Sequence, residues 1–327
     1  MKVRGISAQF VSDLKDKNGK LNWVFTKVKA HGSPFALEIR EGYINVYYRG
    51  GSILKITEIK GKTQDYKFEF DKKYGRRKNG NSKLVDGRVL TETKDGVKKE
   101  ICWCDFMVHH YGDVVKMTDE TAQRYFDDLK NMMDGWFEEH PKKEREFQHY
   151  MSLPRYNDNV LDIEYAIGES GLRFDMVMID KEGELYIVKN KFGNGSISSM
   201  ATAGKEKPGL AKHYGDFIKV VAKKDYWSNI KESMTNILGI KQELGLIPSE
   251  YRIKLDGNGK PVFHILFVLA DLGLSPQSII IEREKLRIEA EFGRYKNEFP
   301  PEVLCVDAHQ YRIRLYNSED LLSFSLK

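Results

Sequence analysis

The sequence of 327 residues has little cysteine, no long apolar run and almost no imbalance of charge. Its three cysteines are too few for a disulfide scaffold, which excludes the small disulfide-rich classes. The most apolar run, residues 261–270, is about half as long as a membrane span. The first residues lack the apolar core of a secretory signal peptide. We therefore expect a soluble, cytoplasmic globular protein without a membrane partner.

The composition is that of a chain that can bury a core. Hydrophobic residues make up 41% and charged residues 31%, and 17 Tyr and 17 Phe argue against intrinsic disorder. The length favours two domains. The cleanest break is the segment 135–141 (GWFEEHP), so we predict a β-rich domain over residues 1–138 that ends in a helix, and a second domain over 139–327. The expected class is α+β or α/β.

Hydrophobic periodicity predicts the order of secondary-structure elements. Alternation of apolar and polar residues predicts strands at 36–56 (a meander), 66–70, 160–165, 173–179, 185–191, 261–270, 303–306 and 311–315. Helical spacing predicts helices at 118–139, 142–151, 212–244 and 275–295. The polar, glycine-containing segment 84–98 is interpreted as a loop.

The positive charge is concentrated in one stretch. Residues 55–100 contain 14 Lys and Arg against 8 Asp and Glu, although the whole chain has a net charge of only +5. Aromatic residues interleave these charges, a pattern that suits contact with a phosphate backbone. A solvated hairpin or loop would have the same composition. The candidate nucleic-acid-binding residues here are Lys72, Lys73, Arg76, Arg77 and Lys78.

The two hairpins over residues 160–191 carry the candidate chemistry. A tight turn at 180–183 folds the third strand back on the second, which brings Asp175 beside residues 188–190. Lys189 and Lys191 share one face of their strand because side chains alternate in direction. Asp162 and Glu164 share a face of the first strand, so either could lie nearby.

This order of elements resembles the PD-(D/E)xK nuclease superfamily, the fold of many restriction endonucleases. Arg173-Phe174-Asp175 matches its Asp element, and Lys189-Asn190-Lys191 stands at the position of its (Asp/Glu)-x-Lys element. The whole chain is also similar to bacterial proteins that join a β-rich segment to such a core, on Gly5-Ile6-Ser7 and residues 43–56. The resemblance implies a restriction-endonuclease-like mixed sheet flanked by helices, DNA or RNA as partner, and a role in bacterial defence or mobile elements. Many nucleases of this fold act as homodimers, which is analogy alone.

The resemblance also implies a magnesium site and assigns roles to its residues. Asp175 and a second carboxylate would hold Mg²⁺, and Lys191 would orient water or stabilise charge. The position of the second carboxylate is occupied by Lys189, whose ammonium repels a metal ion. Asp162 or Glu164 would have to replace it. We therefore expect Mg²⁺ as cofactor if the chain is active and none otherwise, with cleavage impaired as the sequence stands.

Several alternatives fit the same residues. Lys189 could be a natural degeneration or a change introduced to disable a nuclease, and its contact with Asp175 could be an ordinary cross-strand ion pair. Lys212 and His213, at the start of the next helix, could contact phosphate. The chain could instead be a non-catalytic nucleic-acid-binding or assembly subunit, or a protein–protein adaptor that uses its N-terminal sheet.

Overall fold

The computed structural model describes residues 3–59, 65–78, 84–86, 88–92, 98–102, 118–167, 171–193, 209–272, 277–313, 315 and 322–323. The chain divides into two compact units. The N-terminal unit comprises Gly5–Arg145, and the C-terminal unit combines Met1–Arg4 with Glu146–Lys327. Helices and strands are mixed in the chain, which confirms the predicted α+β class. The predicted domain boundary after residue 138 precedes this division and stays a prediction.

The N-terminal unit begins with two short helices and continues as a meander. Its elements up to residue 69 are α1 (Ala8–Lys15), α2 (Asn22–Lys29), β1 (Ala36–Ile39), β2 (Tyr43–Tyr48), β3 (Gly51–Ile59) and β4 (Asp65–Glu69). The four strands pair in sequence order, each antiparallel to the next. The predicted meander is confirmed. The two helices before it were not predicted.

Short elements follow the meander. They are a 3₁₀ helix (Lys72–Gly75), β5 (Arg76–Lys78) paired with β6 (Leu84–Asp86), and β7 (Arg88–Glu92) paired with β8 (Lys98–Cys102). The interpretation of segment 84–98 as a loop was therefore wrong at β6 and β7. Cross-strand pairing can form strands in a polar segment whose own propensity for them is weak.

The unit ends with the helix that its sequence pattern predicted. Helix α3 (Asp119–Glu139) begins after Thr118, whose hydroxyl accepts a hydrogen bond from the Thr121 backbone N–H at 3.2 Å. Such a cap satisfies one of the amide groups left without an intrahelical partner. The apolar side chains that this helix buries include Tyr125, Leu129, Met132, Met133 and Phe137. Helix α4 (Lys143–Met151) follows and contains the division between the units.

The C-terminal unit is built on a mixed sheet. Its elements are β9 (Val160–Ile167), β10 (Leu172–Ile179), β11 (Leu185–Phe192), α5 (Leu210–Ala222), α6 (Lys224–Glu243), β12 (Phe263–Ala270), α7 (Gln277–Phe292), a 3₁₀ helix (Gly293–Tyr295), β13 (Pro301–Val306) and β14 (Leu322–Ser323). The strands lie in the order β14-β13-β12-β11-β10-β9. Strands β9, β10 and β11 are antiparallel neighbours, and β11, β12 and β13 are parallel. Nearly every residue of β12 is buried, as expected of a strand covered on both faces.

The turn between β10 and β11 sets the register of the hairpin. The Asp180 backbone N–H donates to the Glu184 carbonyl at 3.1 Å, and Gly183 adopts φ +87°, which suits glycine. Met176 then lies opposite Val188. In this register Asp175, which precedes Met176, lies opposite Lys189, which follows Val188, as the sequence predicts.

Two further expectations concern the strand predicted at 311–315 and the absence of a membrane span. The strand predicted at 311–315 is wrong over residues 311–313, which belong to no helix or strand. Within the described residues, no helix has both the length and the apolar composition that crossing a membrane requires.

Candidate functional site

The predicted meeting of one aspartate and one lysine across the β10–β11 hairpin is present. Lys189 Nζ lies 2.6 Å from Asp175 Oδ1, and the side chains are only 14% and 10% exposed. The same ammonium lies 3.4 Å from the Arg173 carbonyl oxygen. A charge-assisted hydrogen bond of this length is among the stronger polar contacts in proteins. The pair is therefore a defined and largely buried feature.

The remaining polar groups of Asp175 are also engaged. Its Oδ2 accepts a hydrogen bond from the Asn190 backbone N–H at 2.7 Å. Its carbonyl oxygen accepts from Gln148 Nε2 of α4 at 2.5 Å. Both carboxylate oxygens therefore have donors, one of which carries a positive charge.

Asp162, a predicted metal ligand, is fully buried and paired with Arg4. The Arg4 guanidinium forms an ion pair with Asp162 Oδ2, and the Ile163 backbone N–H donates to Oδ1 at 2.8 Å. Arg4 also donates to the Glu164 carbonyl at 3.2 Å and lies 4.5 Å from the centre of the Tyr165 ring. The arginine thus compensates the one carboxylate here that has no contact with water.

Glu164, the other predicted metal ligand, pairs with Arg173 across the β9–β10 hairpin. Its backbone has φ +54°, a left-handed conformation that is uncommon for a residue other than glycine. Arg173 is about half exposed and lies two residues before Asp175 on the same face of β10. The hairpin therefore brings alternating charges together on that face.

The carboxylates as arranged do not fit a magnesium ion. Mg²⁺ needs several oxygen ligands in near-octahedral geometry. The three candidate carboxylates, Asp162, Glu164 and Asp175, each bind a cationic side chain instead. Glu184 of the same unit pairs with Lys254 and His264, both at 2.6 Å. Among the described residues, no group of three or more Asp, Glu, His or Cys is placed to hold a metal ion.

The two residues after Lys189 point to opposite faces of β11. Lys191 is buried and lies on the Lys189 face by strand alternation. Asn190 is 1% exposed, and neither its amide nitrogen nor its amide oxygen has a hydrogen-bond partner in the described part of the chain. A buried amide without partners costs free energy.

A second cluster of charges surrounds His264 on β12. Its Nε2 lies 2.6 Å from Glu184 Oε2, its Nδ1 lies 3.4 Å from Glu302 Oε1, and its ring stacks on Tyr186 at 4.7 Å. Burial lowers the pKa of His264, but the two carboxylates outweigh it, so the pKa is raised above its ordinary value. The hydrogen bond to Lys254 is the main cause that lowers the pKa of Glu184. Both ring nitrogens of His264 therefore have carboxylate partners.

The predicted nucleic-acid-binding residues are described only in part. Lys73 pairs with Asp71 at 2.7 Å and lies 4.6 Å from the centre of the Tyr74 ring. Lys212 is exposed and pairs with Asp216 at 3.2 Å on α5, whereas the adjacent His213 is half-buried. The structure does not describe the side chains of the other candidates, which are Lys72, Arg76, Arg77 and Lys78.

Sequence reasoning missed two residues of the site. Arg4 is separated from Asp162 by 158 positions, so no local pattern joins them. Gln148 follows the apolar Phe147 on α4, and nothing in its spacing points to the Asp175 carbonyl. The signal that could have indicated Arg4 is general: a fully buried aspartate needs a cationic partner.

Comparison with known proteins assigns no family. The chain matches no protein-family model, no curated protein and no solved structure. The case for a function therefore depends on the geometry of the C-terminal unit.

Proposed function

We propose that the chain binds nucleic acid through a nuclease-like core in which Lys189 replaces a metal-binding carboxylate. The order of elements supports this proposal. Helix α4 precedes β9, β10 carries Asp175, a tight turn leads to β11 with Lys189 and Lys191, and two helices precede β12. This is the order that the resemblance to the PD-(D/E)xK superfamily implies.

The observation that carries the proposal is the ion pair between Lys189 and Asp175 at 2.6 Å. It unites the two motif positions on which the resemblance depends. In that motif the residue at position 189 would be a carboxylate that shares a metal with Asp175. Here an ammonium occupies the position and takes up one Asp175 oxygen. In this proposal the site holds a phosphate group by point charges, and the ammonium prevents metal-assisted hydrolysis.

The charges on this face support phosphate binding. The Arg173 side chain is 49% exposed, so a phosphate group can reach its guanidinium, and Lys189, whose ammonium lies 3.4 Å from the Arg173 carbonyl oxygen, retains 14% exposure. Contacts of this kind to a phosphate backbone release counterions, so affinity falls as salt concentration rises. The partner that fits is DNA or RNA, recognised through its backbone.

The first experiment tests the chemistry. Plasmid DNA and a structured RNA are incubated with Mg²⁺ or Mn²⁺ and with the wild-type chain or Lys189→Glu. We expect no cleavage by the wild-type chain and metal-dependent cleavage by Lys189→Glu. Lys189→Gln is the matched control, because it removes the ammonium without adding a carboxylate, and it should stay inactive. Metal-dependent cleavage by the wild-type chain would contradict a blocked site.

The second experiment tests binding. Affinity for DNA and RNA is measured over a range of salt concentrations for the wild-type chain, Lys189→Gln and Lys254→Gln. Lys254 is a matched control because it pairs with Glu184 at the same 2.6 Å in the same unit. We expect affinity to fall with salt, and Lys189→Gln to weaken binding more than Lys254→Gln. Absence of binding, or equal effects of both variants, would leave the Asp175–Lys189 pair as a structural contact.

A further inference from the structure

Three half-buried tyrosines meet where α4 ends and the segment after β13 passes. The ring centres of Tyr150 and Tyr311 are 4.8 Å apart, and those of Tyr156 and Tyr311 are 5.2 Å apart. We call Tyr150, Tyr156 and Tyr311 the tyrosine platform. All three belong to the C-terminal unit and retain partial exposure to solvent. Burial, followed by the two neighbouring tyrosines, raises the pKa of Tyr311 above its ordinary value.

The tyrosine platform has a rigid base. The buried side chain of Asn157 donates to the Tyr311 carbonyl at 2.7 Å and to the Met151 carbonyl at 2.8 Å, and it accepts from the Ile313 backbone N–H at 2.8 Å. One amide thus fixes the segment with Tyr311 to the end of α4. These bonds also explain why residues 311–313 follow Asn157 instead of a strand. Aromatic side chains held in this way lose little entropy when a ligand stacks on them.

Two arginines lie next to Tyr156 of the tyrosine platform. Arg155 lies 4.9 Å from the centre of the Tyr156 ring, and Arg312 donates to the carbonyls of Tyr156 and Arg155 at 3.3 and 3.4 Å. Both arginines are exposed. The acidic group that acts electrostatically on Tyr311 is Glu146. Rings with adjacent arginines suit a ligand that combines flat bases with phosphates.

The tyrosine platform is joined to the candidate site through α4. The ring centre of Phe147 lies 5.7 Å from that of Tyr311 and 5.9 Å from that of Phe192, the residue after Lys191. The next residue, Gln148, donates to the Asp175 carbonyl. Adjacent residues of one helix therefore contact the tyrosine platform and the Asp175–Lys189 pair.

We propose that the tyrosine platform binds the unpaired bases of a single-stranded nucleic acid. This rests on the proposed function and specifies its partner. Bases stack on aromatic side chains when their faces are accessible, which is so in single strands and not within a duplex. Arg155 and Arg312 supply charge for the neighbouring phosphates. Stacking requires the ring and not the hydroxyl, so the proposal makes a sharp distinction between variants.

The test measures affinity for labelled oligothymidylate, oligouridylate, an abasic strand of the same length and a duplex. We expect Tyr156→Leu to weaken binding of both base-carrying single strands about 5- to 150-fold, the range for loss of one stacked base. Tyr156→Phe should retain the affinity. Tyr295→Leu is the matched control, since Arg294 lies 4.7 Å from the Tyr295 ring outside the tyrosine platform, and it should also retain the affinity. The abasic strand should be insensitive to all three variants.

The outcomes distinguish a failure of base stacking on the tyrosine platform from a failure of the proposed nucleic-acid binding. Equal loss for the abasic strand would show that Tyr156 acts through folding or charge, and it would overturn base stacking. Binding that is intact in Tyr156→Leu but weakened in Lys189→Gln would overturn the tyrosine platform and leave the proposed function standing. Absence of binding to every probe would overturn both. Thermal unfolding of each variant shows whether it is folded.

Discussion

Replacing Lys189 with glutamate should destabilise the chain in the absence of metal and make its stability depend on divalent cations. The substitution exchanges an attraction to Asp175 for a repulsion. Unit charges 2.6 Å apart attract by about 6 kcal/mol at an effective dielectric constant of about 20. Much of that attraction offsets the cost of removing both charges from water, so breaking a buried pair costs about 3 to 5 kcal/mol.

The comparison between two variants isolates the charge. Lys189→Gln should lower the free energy of unfolding by about 3 kcal/mol, the lower end of that range, because the pair retains some exposure. Lys189→Glu should lower it further, by up to about 4 kcal/mol, the repulsion of two carboxylates about 4 Å apart. Total stabilities of domains are about 5 to 15 kcal/mol, so the combined loss in Lys189→Glu is a large fraction of the total.

Urea denaturation with a chelator, and then with Mg²⁺ or Mn²⁺, measures both effects. A cation present at about 100 times its dissociation constant should restore about 2.7 kcal/mol to Lys189→Glu and nothing to Lys189→Gln. The reasoning fails if Lys189→Glu is as stable as Lys189→Gln in the chelator. It also fails if added metal stabilises both variants equally.

Two further predictions concern charges elsewhere in the C-terminal unit. Arg4→Met should lower the free energy of unfolding, measured by urea denaturation, by about 3 to 5 kcal/mol, because it leaves the fully buried Asp162 without a cation. Adding Asp162→Asn to the Arg4→Met chain should recover most of this loss. An unchanged stability of Arg4→Met would contradict the compensating role of the arginine. The pKa of His264 is higher in the folded chain than in the unfolded chain, where it is about 6.5. Protonated His264 should therefore stabilise the fold fully at pH values below about 6.5 and progressively less as pH rises through the pKa of the folded chain. Unfolding measured against pH should show this decline, and His264→Gln should flatten it, whereas a decline that persists in the variant would assign it to other groups.

The sequence was sufficient for the hairpin of the candidate site. Alternation within each strand and the turn with Gly183 fix which residues oppose each other, so the meeting of Asp175 and Lys189 follows from local rules. Helix α3 was predictable for the same reason, since its cap and its apolar face lie within one short segment.

Contacts between distant segments were not predictable. Arg4 reaches Asp162 only because the chain returns to it after 158 positions. The strand predicted at 311–315 fails over residues 311–313 because the amide of Asn157, remote in sequence, binds the backbone on both sides of Arg312. Local alternation of apolar and polar residues does not reveal a distant side chain that competes for backbone hydrogen bonds.

Arg4 has a consequence for dissecting the protein. The C-terminal unit is discontinuous, since Met1–Arg4 belongs to it and the N-terminal unit intervenes before Glu146. A fragment expressed from residue 139 or 146 onward would lack the guanidinium that neutralises Asp162. Low stability of such a fragment would then result from the missing ion pair and not from an inability of this unit to fold alone. A circularly permuted or linker-bridged gene that restores the first residues is the appropriate way to isolate this half of the molecule.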